Sequence, residues 1–305
     1  MNRSIVALFG LTLSLASGCG DSSSSSGTGA GGTGTGGSGG DGAGASGAAG
    51  AGAAGAGGSP ECEEPPAQPG PVTQVPVGTV NVTVEDELGA PVVDEPLLLC
   101  GVDLCSIPVN SDAMGQATLT SPAATLDRPL LKPNNSLNFA KIGYPYESGT
   151  TLSGIFPRII DSGSAIAAGS TVDADGAVLT VPEGGAVVVD DLVYFETDQQ
   201  TFRAVVVDNQ VVISQILGAG FAMIVGLGPA DTLFCPGATL TIPNSGDLGA
   251  NTVVEVLGQE ISVFEGFGPY GEWNVIAEGT VSADGMTIEI PELPVLLTIA
   301  IRIKN

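Results

Sequence analysis

The stretch TVNVTVE at residues 79–85 decides the fold class of this chain. Valine occupies every second position and polar residues lie between, which is the period of a β-strand with one buried face. Short runs of β-branched and aliphatic residues, each closed by Gly, Pro, Asn or Asp, recur through the rest of the chain. They include residues 97–100, 117–120, 186–189, 202–207, 211–217 and 221–225. We therefore predict an all-β protein of two β-sandwich domains, of the immunoglobulin-like or transthyretin-like kind.

One uncharged run admits a second interpretation. Residues 211–228 carry no charge and have the length of a short membrane-spanning helix. The run contains several glycines and follows the turn-forming tripeptide DNQ at residues 208–210. We therefore predict a strand at residues 201–207, a turn at 208–210 and a further buried strand from residue 211, rather than a membrane helix.

A short motif recurs in the folded part of the chain. It appears as GAVLTVP at residues 176–182, GATLTIP at 237–243 and GMTIEIP at 285–291. The first and third copies follow an acid-containing turn, DAD at 173–175 and SAD at 282–284. An Asp before Gly favours a tight turn, a strand follows, and the proline is expected to end the pairing. The motif predicts repeated hairpins and not a repeated active site.

Composition divides the chain into four segments. Residues 1–18 are apolar after one basic residue and are expected to be a signal peptide. Residues 20–60 are almost entirely Gly, Ala, Ser and Thr, which predicts a disordered linker after residue 19, with a mean span of about 35 Å. The patterned remainder is predicted to divide into domains at residues 61–150 and 151–305.

Charge and the absence of histidine exclude several functions. The chain has 33 acidic residues against 8 basic residues, and its formal net charge is −25. Such a body repels nucleic acid, so we predict no nucleic-acid partner. With no histidine, the chain lacks the commonest general base and the commonest zinc ligand. We predict that it is not an enzyme.

Four cysteines lie in the folded part of the chain, and an even number in an exported protein predicts two disulfides. Three pairings are available to Cys62, Cys100, Cys105 and Cys235. Cys100 and Cys105 flank a turn-like GVDL segment after the short strand at 97–99, which favours a local bridge. Cys62 then pairs with Cys235 and fixes the end of the linker to the C-terminal half.

The end of the signal peptide resembles the lipobox of bacterial lipoproteins. The segment LASGC at residues 15–19 carries the likeness, although the family prefers Leu where this chain has Ala16. The resemblance implies cleavage before Cys19, a diacylglycerol on its sulfur and an acylated amino terminus. Gly20 after the cysteine favours the bacterial outer membrane or cell surface. The alternative is plain secretion, with Cys19 near an ordinary cleavage site.

The first domain resembles the carboxypeptidase-regulatory type of domain over residues 72–150. The segments VTVEDELGAPV at 82–92 and SDAMGQA at 111–117 carry the likeness. The resemblance implies a seven-stranded transthyretin-like sandwich that serves as a spacer or an adhesive module.

The second domain, over residues 165–305, is similar to the zona-occludens/netrin-receptor type of β domain. The likeness rests on LTVPEGGA at 179–186, and on EW at 272–273 followed by GTVSADG at 279–285. Neither family carries catalytic residues, so neither resemblance implies any here.

Two groups of residues are candidate binding sites. Asp173, Asp175, Asp190 and Asp191 offer carboxylates of the kind that calcium prefers, although Asp-Gly turns are also ordinary in hairpins. Tyr270 and Trp273 offer a stacking platform for a glycan, although a single Trp in a β domain is more often part of the core.

These observations predict a surface lipoprotein that acts in adhesion or cell-envelope organisation. It would meet the membrane through its lipid anchor and contact a protein or glycan through its β domains. The alternative is a calcium- or glycan-binding surface module. No cofactor is expected unless calcium binds.

Overall fold

The computed structural model describes residue 62 and residues 65–134, 137–159, 163–189, 194, 196–262 and 265–305. The N-terminal strands are β1 (Gln74–Pro76), β2 (Thr79–Glu85), β3 (Pro96–Cys100), β4 (Val109–Asn110), β5 (Gln116–Thr120), β6 (Thr125–Asp127), β7 (Leu130–Pro133), β8 (Tyr144–Pro145) and β9 (Thr151–Ile155). One sheet has the order β5-β2-β9 and a second the order β4-β3-β7-β8, while β1 pairs with β6. β2 runs antiparallel to β5 and parallel to β9.

Strand β2 has the burial pattern that its sequence predicts. Val80, Val82 and Val84 are buried, and the polar residues between them are exposed. The valines join one hydrophobic cluster with Leu97 and Leu99 of β3. The prediction of an all-β fold is confirmed.

The C-terminal part of the chain forms one large sheet. Its strands are β10 (Thr171–Ala174), β11 (Ala177–Thr180), β12 (Ala186–Val188), β13 (Arg203–Val207), β14 (Met223–Gly228), β15 (Thr232–Pro243), β16 (Val253–Gln259), β17 (Trp273–Val281), β18 (Thr287–Leu296) and β19 (Ile299–Ile303). The order is β10-β11-β15-β18-β17-β16-β19-β14-β13, and β12 also pairs with β15. The sheet curls until it is nearly closed, so its inner face surrounds a second hydrophobic cluster.

The Asp-Gly turns form hairpins as predicted. Asp175 and Gly176 both have positive φ, 47° and 75°, and join β10 to β11 in a two-residue turn. This geometry matches the right-handed twist of the two strands. The expectation that proline ends the pairing is wrong at Pro291, which lies inside β18. There the register against β15 shifts, because Glu292, with a φ of 56°, forms a bulge that accommodates the proline.

The expected strand at residues 211–217 is an α-helix. Helix α1 (Gln210–Leu217) begins after Asn209, whose side chain accepts the N–H of Val211 at 3.0 Å. Gly218, with a φ of 81°, ends it. The tripeptide DNQ therefore provides a helix cap rather than a hairpin turn, since Asn is favoured in both places. The helix buries only Val212 and Ile213 and leaves Val211 exposed, whereas a buried strand would have covered the whole run.

The rest of the uncharged run is the buried strand β14. Met223, Val225 and Leu227 contribute to the cluster inside the large sheet, whereas Ile224 belongs to the N-terminal cluster. A Cβ on Gly226 would lie 2.4 Å from the Ala140 Cβ, so glycine is required for this close packing. Both faces of β14 are covered, which explains why its sequence carries no charge.

The two halves of the chain share a core. The N-terminal cluster includes Phe139, Ile142 and Phe156, and it also includes Val205 and Val207 of β13 from the large sheet. The described residues from Cys62 to Asn305 accordingly belong to one compact unit. Among the described residues, no helix has the length and hydropathy needed to cross a membrane.

Candidate functional site

The predicted anchor and linker lie outside the described residues, which begin at Cys62. Lipidation of Cys19 therefore stays a prediction. Cys62 forms a disulfide with Cys235 in β15, 173 residues away in sequence, and Cys100 forms a local disulfide with Cys105. The structure thus has the pairing that the sequence favoured. Cys62, the first of the described residues, is therefore joined covalently to a strand of the large sheet.

The structure places two of the four calcium candidates. Asp173 is exposed on β10, and the carboxylate of Asp175 accepts the N–H of Val206 at 2.9 Å. Asp190 and Asp191 lie outside the described residues. The described part of the chain contains no group of three or more His, Cys, Asp or Glu side chains placed to hold a metal ion.

The glycan platform expected at Tyr270 and Trp273 is wrong for Tyr270. Tyr270 is only 2% exposed, and its hydroxyl donates to the Cys100 carbonyl at 3.2 Å. Burial raises the pKa of this hydroxyl. A sugar cannot stack on a ring that the core already covers. Trp273 is half-buried at the start of β17.

Tyr270 instead packs against a group of charged residues that we call the charged junction: Asp127, Arg128, Lys132, Glu260 and Glu265. Arg128 Nη1 donates to Glu265 Oε1 at 2.7 Å, and its Nη2 lies 3.5 Å from Asp127 Oδ2. Glu265 Oε1 also accepts the N–H of Tyr270 at 2.9 Å. Burial alone raises the pKa of Glu265, but these hydrogen bonds outweigh burial and hold the pKa below its usual value.

Lys132 is the buried cation of the charged junction. Its Nζ donates to the Ile261 carbonyl at 3.0 Å and lies 5.3 Å from the centroid of the Tyr270 ring. Burial, and then repulsion from Lys141, lowers the pKa of Lys132 to about 8. Lys132 is therefore held by a carbonyl and an aromatic face, without a direct carboxylate partner among the described ion pairs.

Two side chains at the end of β16 bind backbone groups, and the first of them connects the two halves of the fold. Gln259 accepts the N–H of Gly143 at 2.8 Å and donates to the Gly143 carbonyl at 2.7 Å, so one side chain satisfies both backbone polar groups of a buried residue. The next residue, Glu260, accepts the N–H groups of Ser262 and Phe267, each at 2.9 Å. Burial raises the pKa of Glu260, and those two hydrogen bonds offset part of the rise. These groups bind the protein's own backbone and serve the fold.

The described part of the chain presents two exposed surfaces that could contact a partner. The first, which we call the apolar tip, consists of Leu88, Val93 and Met114, exposed by 85%, 50% and 68% in turns at one end of the N-terminal sandwich. Large apolar side chains gathered on a surface often mark an interaction site.

The second surface is the outer face of the sheet β5-β2-β9, which we call the hydroxyl-rich face. Its exposed side chains are Thr79, Asn81, Thr83, Gln116, Thr118, Thr120, Thr151 and Ser153. They share one face because Thr83 is opposite Gln116 on one side and Ser153 on the other. A depression of about 290 Å³ and another of about 420 Å³ lie on either side of Thr83. The face offers hydrogen-bond donors and acceptors to an uncharged polar ligand.

The sequence predicts part of the hydroxyl-rich face but not the apolar tip. The alternation of residues 79–85 already places Thr79, Asn81 and Thr83 on one exposed face. The apolar tip is missed, because Leu88 and Met114 are single apolar residues in separate turns. The charged junction is missed as well, because its members come from distant segments of the chain.

Comparison with known proteins identifies no relative of this chain. No protein-family model, no curated protein and no solved structure matches it.

Proposed function

We propose that this chain is a bacterial surface lipoprotein, anchored through Cys19, that displays its β-structured body for adhesion or for organisation of the cell envelope. The anchor is supported by Arg3, the apolar run at residues 5–15 and the small residues before Cys19. In this arrangement the lipid holds the protein at the outer membrane, and the linker at residues 20–60 separates the body from the lipid surface.

The disulfide between Cys62 and Cys235 is the observation that carries the proposal. Disulfides persist in oxidising compartments, which supports export. This one joins the body's end of the linker covalently to β15. A force applied along the linker is therefore transmitted through this disulfide to the large sheet, as a tethered display protein requires.

The charge of the body supports the same arrangement. The full chain has a formal net charge of −25, and all of its charged residues except Arg3, Asp21 and Asp41 lie in the body. The body therefore repels anionic headgroups and is held away from the lipid surface to which its linker is tied. We assign it no catalytic role, because the buried charges at the charged junction are engaged by each other and by backbone groups.

Cell fractionation tests the anchor. Cys19→Ser removes the lipidated sulfur and is expected to move the full-length protein from the membrane fraction to the soluble fraction. Ser17→Ala, which keeps a small residue before the cysteine, serves as the matched control and should stay with the membrane. Retention of Cys19→Ser in the membrane fraction would contradict the proposal.

The hydroxyl-rich face favours a second candidate function, the binding of an uncharged glycan. Eight exposed hydroxyl and amide side chains lie in register there, with depressions to either side. Thr118→Val keeps the β-branched shape but removes a hydroxyl, and it should reduce glycan-array binding at least fivefold. Thr280→Val, at an exposed position of β17, is the control. Equal binding by both variants would reject this candidate.

A further inference from the structure

We propose that the apolar tip is a docking site for a protein partner that carries an apolar cleft with a basic rim. This inference deepens the proposed function, because it names the surface through which the displayed body makes its contact. The argument rests on how three turns meet, how rigidly they are held and which charges surround them.

Backbone hydrogen bonds bring the three turns together. The N–H of Val84 donates to the Gly115 carbonyl at 2.8 Å, and the N–H of Val92 donates to the Val84 carbonyl at 3.1 Å. A Cβ on Gly115 would lie 3.3 Å from the backbone nitrogen of Val92. Met114 precedes this contact and Val93 follows it, so the two side chains emerge from adjacent backbone.

Leu88 projects from the loop that joins these strands. The loop begins after Glu85 and returns at Pro91, which forms a bridge with Glu85. Leu88 therefore lies in a short loop whose two ends are held beside the same contact. Its 85% exposure is the highest among the large hydrophobic residues of the described chain.

Hydrogen bonds to two carboxylates fix the conformation of these turns in the free protein. Asp86 Oδ1 accepts the N–H groups of Leu88 and Ala90 at 3.0 and 2.9 Å, and Asp112 Oδ1 accepts that of Met114 at 2.8 Å. Asp86 is itself buried and pairs with Arg158. Apolar side chains on a preordered backbone lose less conformational entropy on binding than side chains on a flexible loop.

Met286 is a control for Met114, because it is an exposed methionine outside the apolar tip. It is 69% exposed, against 68% for Met114, and its N–H is accepted by Asp284 Oδ1 at 3.0 Å. Both methionines are therefore equally exposed, and the backbone N–H of each is held by an Asp two residues earlier in the chain. Met286 lies in the turn between β17 and β18, away from the apolar tip, and single exposed apolar residues need no partner.

The charges around the apolar tip select the partner. Asp94 and Asp112 flank it, and neither forms an ion pair with a Lys or Arg side chain among the described residues. The nearby Arg158 is engaged by Asp86 and by the Phe139 ring. A second copy of this chain, or an anionic lipid surface, would be repelled by a net charge of −25. A cleft rimmed by Lys or Arg complements both the apolar centre and the acidic border.

Site-specific photo-cross-linking in the native cell tests the inference. A photoreactive benzoylphenylalanine replaces Met114 in the full-length chain, and in a matched strain it replaces Met286. Residue 114 is expected to cross-link to one protein species with at least tenfold higher yield than residue 286. That species is then purified, and its affinity for the protein is measured at two salt concentrations.

The affinity should fall at least tenfold with Leu88→Asp and should weaken at the higher salt concentration. Unchanged thermal unfolding of Leu88→Asp shows that the fold is intact. Cross-links from residue 114 only to a second copy, only to lipid or to nothing would overturn the inference, as would equal yields from both positions. Fractionation of Cys19→Ser is scored separately, so failure of the anchor and failure of the docking site are distinguishable.

Discussion

Asp175 has two roles at the scale of a single residue. Its backbone adopts a positive φ of 47° in the turn between β10 and β11. Its carboxylate accepts the N–H of Val206 in β13, which is the strand at the other end of the sheet order. A residue considered as a calcium ligand therefore helps to bring the two ends of the large sheet together.

Substitution at Asp175 should separate these roles. Asp175→Ala loses the hydrogen bond and places an alanine in the left-handed region, and it should lower the free energy of unfolding by about 2 kcal/mol. Asp175→Asn keeps an acceptor oxygen and a tolerance for positive φ, so its loss should stay below about 1 kcal/mol. Urea unfolding measures both, and equal losses would contradict the account.

Lys132 gives the stability of the protein a specific pH dependence. Its folded pKa of about 8 lies below the ordinary value of 10.5. Between these values the unfolded chain keeps the proton that the folded protein has released. Folding stability attributable to Lys132 therefore increases as pH rises from 7 to 10, and it is lost as pH falls through 8.

Comparison with Lys132→Met isolates this dependence. Between pH 7 and pH 10 the wild type should gain about 2 kcal/mol in free energy of unfolding relative to Lys132→Met. Urea titrations of both proteins at the two pH values give the difference. A constant difference, or one that shrinks with pH, would show that the pKa of Lys132 is not lowered in the folded state.

At the scale of elements, the fold is held together by side chains that satisfy backbone groups in other elements. Gln259 at the end of β16 bonds both polar groups of Gly143, which lies just before β8. No sequence pattern predicts such a contact, because the two residues are distant along the chain. Loss of one partner leaves buried backbone groups without hydrogen bonds.

Gln259→Leu is expected to lower the free energy of unfolding by about 3 kcal/mol, because it leaves the buried N–H and C=O of Gly143 unsatisfied. Gln215→Leu, at an exposed position of α1, is the control and should change stability by less than about 0.5 kcal/mol. Similar effects of the two substitutions in urea unfolding would argue against this role for Gln259.

The sequence predicts local elements better than contacts between them. Strict alternation in residues 79–85 and the Asp-Gly turn at residues 175–176 are local signals, and both appear in the structure as expected. Helix α1 was predicted as a strand because an uncharged apolar run supports either structure, and tertiary packing decides. The curling of the large sheet, the charged junction and the apolar tip depend on long-range contacts that periodicity does not encode.

At the scale of the whole molecule, the two disulfides constrain very different lengths of chain. Cys62 and Cys235 are 173 residues apart, whereas Cys100 and Cys105 are 5 residues apart. A bridge that closes a longer loop removes more conformational entropy from the unfolded chain. The turn between Cys100 and Cys105 favoured this pairing among the three that the sequence left open.

Paired alanine substitutions compare the two bridges. The chain-entropy relation gives a loss of about 5 kcal/mol for the double variant Cys62→Ala/Cys235→Ala and about 2 kcal/mol for Cys100→Ala/Cys105→Ala. Thermal and urea unfolding under oxidising conditions measure both. A larger loss in the second variant would mean that local packing, and not loop closure, determines what these bridges contribute.

Mass spectrometry of the mature amino terminus tests the central claim, that the body is displayed from a lipid anchor. The account predicts a protein that begins at Cys19 and carries a diacylglycerol on its sulfur and an acyl chain on its amino group. A mature protein that begins at another residue, or an unmodified Cys19, would contradict it.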